Sequence, residues 1–123
     1  MKQNIIAYLV LMVVGVVAED QLAFVFEVVR HGARNTFLEG YTEGFPVAPG
    51  MLTPEGMRQR YLLGRYAREK YAINSTLLSP EFIEGEVYIQ STDSERTMQS
   101  GYSELMGIYP PGEAKAPQMN TGE

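Results

Sequence analysis

The sequence predicts an α/β fold, incomplete in extent, with its elements in the order strand, loop, helix, strand, helix. Three observations carry this. Residues 22–29 (LAFVFEVV) are almost all apolar and rich in β-branched and aromatic side chains, as in a strand buried on both faces of a parallel sheet. A second strand-like run, residues 86–90 (EVYIQ), follows far along the chain. Each run is separated from the next apolar segment by a helix-start signal. That order implies a parallel βαβ unit with a right-handed crossover. Sheets usually hold about four to six strands, so two strands and two helices read as the N-terminal part of something longer.

The elements follow in chain order. Residues 1–18 (MKQNIIAYLVLMVVGVVA) place one positive charge, Lys2, before an apolar run, and end in small residues. This is the order of a secretory signal peptide, with cleavage expected after Ala18. The apolar run is shorter than the roughly 20 residues a spanning helix needs, so no membrane span is expected after signal removal. After the first strand, residues 30–52 contain six glycines and prolines and no period, which reads as a long loop. Thr53-Pro54-Glu55 then supplies an N-cap, a proline at the first helical position and a first-turn acid. The helix is expected to run to about Tyr71, with Met57, Tyr61, Leu63, Gly64, Ala67 and Tyr71 on one side.

Beyond the second strand, Thr92 and Glu95 stand at capping-box spacing. Met98, Tyr102, Leu105 and Met106 form a helical apolar stripe that stops before Tyr109-Pro110-Pro111-Gly112. Residues 113–123 are polar and aperiodic, and read as a flexible tail or truncation point. The expected organisation is thus a signal peptide at 1–18, a domain portion at 19–112 and a tail at 113–123.

Composition narrows the function. The chain has 10 Lys+Arg against 15 Asp+Glu, a formal charge of -5. That argues against a general nucleic-acid binder. Arginines clustered in an acidic chain read instead as a local anion site. Cysteine is absent, which excludes thiol catalysis, disulfides and cysteine-ligated metals. Asn74-Ser75-Thr76 is a glycosylation sequon, meaningful only in a secreted chain.

The chemistry centres on Arg30-His31-Gly32-Ala33-Arg34, directly after the first strand, where His31 is the only histidine. Ligands of open α/β sheets bind outside the carboxyl ends of strands. Ser91-Thr92-Asp93-Ser94-Glu95-Arg96 follows the second strand in the same way. If the strands are neighbours, His31, Arg30, Arg34 and Arg96 converge on one crevice. Guanidinium forks match phosphate oxygens, and Gly32 allows the backbone to turn sharply. A neutral imidazole keeps a lone pair that can attack phosphorus. Arginines neutralise the phosphate dianion and stabilise its transition state. No metal or cofactor is required, and the expected partner is a small phosphate monoester. Read without this context, the tripeptide at 30–32 is weak evidence, and a lone histidine is more often structural.

Three segments, RHGAR, GMLTPEGMRQRYLLGRYAREKYA and VYIQSTDSERTMQSGYSELMGIYPP, together resemble the N-terminal region of the histidine acid phosphatases. That clade includes prostatic and lysosomal acid phosphatases and phytases. The resemblance covers residues 24–111 and implies a phosphoglycerate-mutase-like α/β fold and hydrolysis of phosphate monoesters at acidic pH. It implies His31 as the nucleophile, with Arg30, Arg34 and Arg96 as phosphate-binding arginines. Thr36 stands where the family commonly has proline, which is expected to alter loop stiffness more than chemistry. The family's general acid is a carboxyl-end His-Asp pair, and this chain holds no second histidine. Asp93 is near the site but is not the family's acid. The expected function is therefore an acid phosphatase acting through a phosphohistidine, in a truncated form. The alternatives are a non-catalytic phosphate-binding fragment or incomplete gene model, and a phytase-like or mutase-like member of the same superfamily. The expected destination is the secretory pathway, secreted or lysosomal. Nothing in the sequence bears on oligomeric state.

Overall fold

The computed structural model describes residues 20–112. The expected signal peptide at 1–18 and tail at 113–123 lie outside the described residues. Two helices dominate: α1, Pro54–Arg68, continued by a π-helical turn, Glu69–Ile73, and α2, Glu95–Ile108. The start of α1 is as its sequence dictates. Thr53 is extended, and its Oγ1 accepts from the Gly56 N–H at 3.1 Å. Pro54 follows, where its missing N–H costs nothing. Glu55 in the first turn and Arg65 and Arg68 in the last suit the helix dipole. The expected end near Tyr71 falls within the π-helical turn, which Asn74 N closes on Glu69 O at 2.9 Å.

The start of α2 differs from the expectation. Its N-cap is Ser94, not Thr92, and Ser94 makes no side-chain cap bond. The Thr97 hydroxyl instead lies 2.9 Å from Thr92 O and 2.7 Å from Ser94 O. Thr97 thus folds the preceding turn onto the helix, the work a capping box would have done. The helix ends at Ile108 with Tyr109 as its C-cap, as its Pro-Pro-Gly sequel predicts.

The two helices cross through their glycines. A Cβ on Gly64 would overlap the Glu104 carbonyl, and one on Gly107 would overlap the Tyr61 carbonyl. Backbone therefore meets backbone. The buried face of α1 is Gly56, Arg60, Gly64 and Ala67, and that of α2 is Ser100, Ser103, Glu104, Gly107 and Ile108. This corrects the expected faces in part, since Gly64 and Ala67 are buried as expected. Met57, Tyr61, Met98, Tyr102 and Met106 are exposed, because an approach this close admits only small side chains. Past the crossing, Ala67, Ile108 and Tyr109 form the core, with Tyr71, Leu78, Phe82, Val87 and Leu105 against it. The Phe82 and Tyr109 rings meet edge to face at 5.4 Å. Arg68 Nη1 closes this end, donating to the carbonyls of Ile108 at 2.9 Å and Pro80 at 2.8 Å.

The expected parallel sheet is not formed among the described residues. Neither 22–29 nor 86–90 enters a ladder. An isolated antiparallel bridge joins Arg34 to Leu52. Phe24, Phe26 and Val28 are 75, 79 and 82% exposed. A strand is made by its neighbours as well as by its residues, and no described segment pairs with either run.

The crossing predicts opposite outcomes for two substitutions on α2. Gly107→Ala should destabilise by about 1–3 kcal/mol, the usual cost of overpacking. At Gly101 a Cβ meets only Ile89 Cγ2, at 3.4 Å. Gly101→Ala should therefore stabilise by up to about 1 kcal/mol, the helix-propensity gain. Urea titrations followed by far-UV circular dichroism measure both.

Candidate active site

The segment at residues 30–34 is held by side chains reaching from both helices. Gly32 lies directly on Gly56, and a Cβ at either would overlap the backbone opposite. Gly32 N–H donates to Ser100 Oγ at 3.1 Å, and Ser100 Oγ donates to Arg96 O at 2.6 Å. Ala33 N–H donates to Gln59 Oε1 at 3.0 Å. The Ala33 carbonyl accepts from Thr53 N at 2.9 Å and from Thr53 Oγ1 at 3.0 Å. Thr53 thus caps α1 and ties down the loop with one hydroxyl.

His31 is half-buried. Its Nδ1 lies 2.7 Å from the Gly32 carbonyl oxygen. A carbonyl only accepts, so Nδ1 carries the hydrogen in that contact. In the neutral ring, Nε2 then holds the lone pair. Such a nitrogen can act as a nucleophile toward phosphorus.

Of the three arginines, two are brought together. The Arg34 guanidinium carbon lies 4.3 Å from the centre of the Phe37 ring, and that of Arg96 lies 5.8 Å from it. Arg34 Nη1 also donates to Asn35 O at 2.8 Å. Arg96 sits in the first turn of α2, its Nε buried without a partner. A cleft of about 190 Å³ opens beside it, lined by Phe37, Pro49, Gly50, Met51, Ser94 and Glu95. The link from Arg96 to the histidine loop runs through Ser100. Arg30 is exposed, and the structure does not bring its guanidinium to the Phe37 ring; its carbonyl is the part held, by Arg60 Nη1 at 3.4 Å. Asn74 is exposed at the end of the π-helical turn, the far end of α1 from Thr53. Asp93 is exposed in the turn before α2.

Asn35 is fully buried and organises the rest of the loop. It donates from Nδ2 to Val47 O at 2.7 Å, and its backbone pairs with Met51 and Gly50 at 2.9 and 3.1 Å. Thr36 Oγ1 accepts from Leu38 N at 3.0 Å. A hydrogen-bonded turn therefore stiffens the chain where the resemblance expects a proline ring.

Behind the loop, Arg60 and Glu104 form an ion pair buried between the helices. Burial pushes the Glu104 carboxyl above its ordinary value of 4.5, against the pull of Arg60, and Glu27 adds to the rise. Sequence reasoning missed this pair, Gln59, Ser100, Asn35 and Phe37. The interior glycines Gly64 and Gly107 were the available signal, since a glycine inside a helix commonly has a packing reason.

Residues 37–122 match the family described as the histidine phosphatase superfamily, branch 2. The chain belongs to that family. The match begins just after the histidine loop and includes Arg96. Among curated relatives, the chain is 36% identical to mouse testicular acid phosphatase over 118 residues, 89% of this chain and 27% of the relative. It is 38% identical to human testicular acid phosphatase over 108 residues, 81% of this chain and 25% of the relative. Rat lysosomal acid phosphatase is 35% identical over 111 residues, 85% of this chain and 25% of that enzyme. These relatives are named acid phosphatases, and the chain spans about a quarter of their length. An α/β architecture is what this superfamily suggests for the chain, although no sheet forms among the described residues.

Glu104 predicts a pH dependence. Its folded-state pKa is raised, so the folded chain binds the proton more tightly than the unfolded one. Stability from this group is then present below the ordinary value of 4.5 and lost as pH rises through the raised folded value. Comparing melts of the parent and Glu104→Gln across that window isolates the effect. The difference should move in the variant's favour as pH rises.

Proposed function

We propose that this chain carries the phosphate-binding and nucleophilic part of an acid phosphatase, which hydrolyses phosphate monoesters through a phosphohistidine at His31. The observation that supports this most is the bond from His31 Nδ1 to the Gly32 carbonyl, 2.7 Å, on a loop tied through Ser100 to Arg96. The bond fixes the tautomer and leaves Nε2 to attack. Arg34 and Arg96 take the phosphoryl oxygens, and Arg30 is the third phosphate-binding arginine by resemblance. Nε2 forms a bond to phosphorus as the ester P–O bond breaks, and the electron pair leaves on the alcohol oxygen. Water then attacks the phosphohistidine, releasing inorganic phosphate and restoring the imidazole.

An alkoxide leaving group needs a proton as it departs. The family draws it from a His-Asp pair, and these 123 residues hold one histidine, His31. Esters of acidic phenols, which leave without that help, are the substrates this chain should handle best.

His31→Ala should abolish the phosphohistidine and nearly all turnover of an activated aryl phosphate, while phosphate still binds. Arg96→Ala should weaken phosphate binding roughly ten- to a hundredfold, the worth of a charge-assisted contact of about 1.5–3 kcal/mol. Turnover assays with an aryl and an alkyl phosphate, paired with phosphate titration by ³¹P NMR, measure these effects. Phosphate binding with no phosphohistidine on any ester would favour a non-catalytic phosphate binder. Robust alkyl turnover by these residues alone would reopen Asp93 as a proton donor.

The secretory route is part of the same proposal. It is supported by the charge-then-apolar pattern of residues 1–18, by an exposed sequon at Asn74, and by relatives named lysosomal in rat and Xenopus laevis. Protein from a secretory host should begin at Glu19 and lose mass on deglycosylation, unless Asn74 is changed to Gln. Recovery of an intact Met1 from cytosol would sink this part.

A further inference from the structure

The interface between α1 and α2 is built mostly from glycine, alanine and serine, with Ile108 at one end and a charged pair within it. Arg60 and Glu104 are 7 and 8% exposed, and they face each other there as an ion pair. Removing two charges from water costs much of what their attraction returns, and an apolar pair of similar volume is often as stable. Stability is therefore a weak reason for these residues at a crossing that otherwise excludes bulk.

The pair makes a third contact. Arg60 Nη1 donates to the carbonyl oxygen of Arg30 in a long hydrogen bond, 3.4 Å. That carbonyl belongs to the peptide leading into His31. A guanidinium is planar and rigid. With Nη2 committed to Glu104, Nη1 is aimed at the carbonyl. On the following side Gly32 is held independently, its N–H by Ser100 and its carbonyl by the imidazole. On the preceding side the Arg30 side chain is exposed and residues 22–29 join no ladder. Among the described residues, Arg60 is what restrains that peptide.

Resting on the phosphohistidine reading above, we infer that Arg60, aimed by Glu104, is a positioning residue for the nucleophile: it sets the peptide plane before His31 and so the direction in which Nε2 meets phosphorus. It touches neither substrate nor the reacting atoms. Lysine is a point charge without the fork, and could serve Glu104 or the Arg30 carbonyl but not both in one plane.

The test uses the full chain with three variants: Arg60→Met combined with Glu104→Leu, Arg60→Lys, and Glu104→Gln. Four quantities are read: the far-UV melt, amide hydrogen exchange of residues 30–34, the rate of phosphohistidine formation from an activated aryl phosphate, and the affinity for inorganic phosphate. The apolar double variant should melt as the parent does. Its amides at residues 30–34 should exchange faster, and its phosphohistidine should form about ten- to a hundredfold more slowly, since a misplacement of about 1 Å can cost a hundredfold. Phosphate affinity should stay near the parent's, because Arg34 and Arg96 are untouched. Glu104→Gln keeps an acceptor for Nη2 and should preserve the parent's rate, whereas Arg60→Lys should not. A double variant with parental melting, exchange and rate overturns the inference. If that variant does not fold, Arg60→Lys decides, and a parental rate and exchange there overturn it. If the parent itself forms no phosphohistidine, the function reading fails separately, and amide exchange alone judges the role of Arg60.

Discussion

Everything around His31 depends on backbone touching backbone at glycine. Gly64 and Gly107 let the helices meet without intervening side chains, and Gly32 and Gly56 let the histidine loop settle onto the first turn of α1. With the separations set this way, single side chains make the remaining links. Ser100 reaches Gly32, Thr53 reaches Ala33, and Gln59 reaches the Ala33 amide. A wider crossing would carry Ser100 away from the Gly32 amide, since a serine has no length to spare.

The same closeness explains where the charges lie. A crossing of small residues leaves little apolar matter around Arg60 and Glu104, so each is satisfied mainly by the other. Burial favours the protonated carboxyl, and a protonated Glu104 still offers an oxygen to Arg60. The arrangement suits acidic surroundings, where a buried pair that required a charged carboxylate would weaken. On the outer side of the loop, Arg34 and Arg96 remain partly exposed, and no acid pairs with either among the described residues.

The two helices were legible because their signals are local. Thr53-Pro54-Glu55 specifies a start within three residues, and Pro110-Pro111-Gly112 specifies a stop. Their faces were misread in part, for a physical reason. Amphipathic periodicity assumes that large apolar side chains turn inward, whereas this interface selects for smallness and leaves Met57, Met98, Tyr102 and Met106 outside. The strands were legible only as propensity, because a ladder is a property of two segments. At the site, His31, Arg34 and Arg96 could be read from residue type and spacing. Arg60, Ser100 and Phe37 could not, since each matters through a contact far away in sequence. Phe37 in particular sits in a loop with no period and gives no signal of the two cations it meets.

That ring has a consequence for how the site waits. Arg34 and Arg96 repel each other, and in open water each would sample many rotamers. Resting against one aromatic ring restrains both, through an attraction of about 0.5–1 kcal/mol at an exposed position. A charge-assisted bond to an oxyanion is stronger, about 1.5–3 kcal/mol. For the phosphate proposed above, the ring is therefore a berth the arginines can leave cheaply, one that has already removed part of the disorder such an anion would have to quench. Loop and ring together hold the two guanidiniums against one aromatic face.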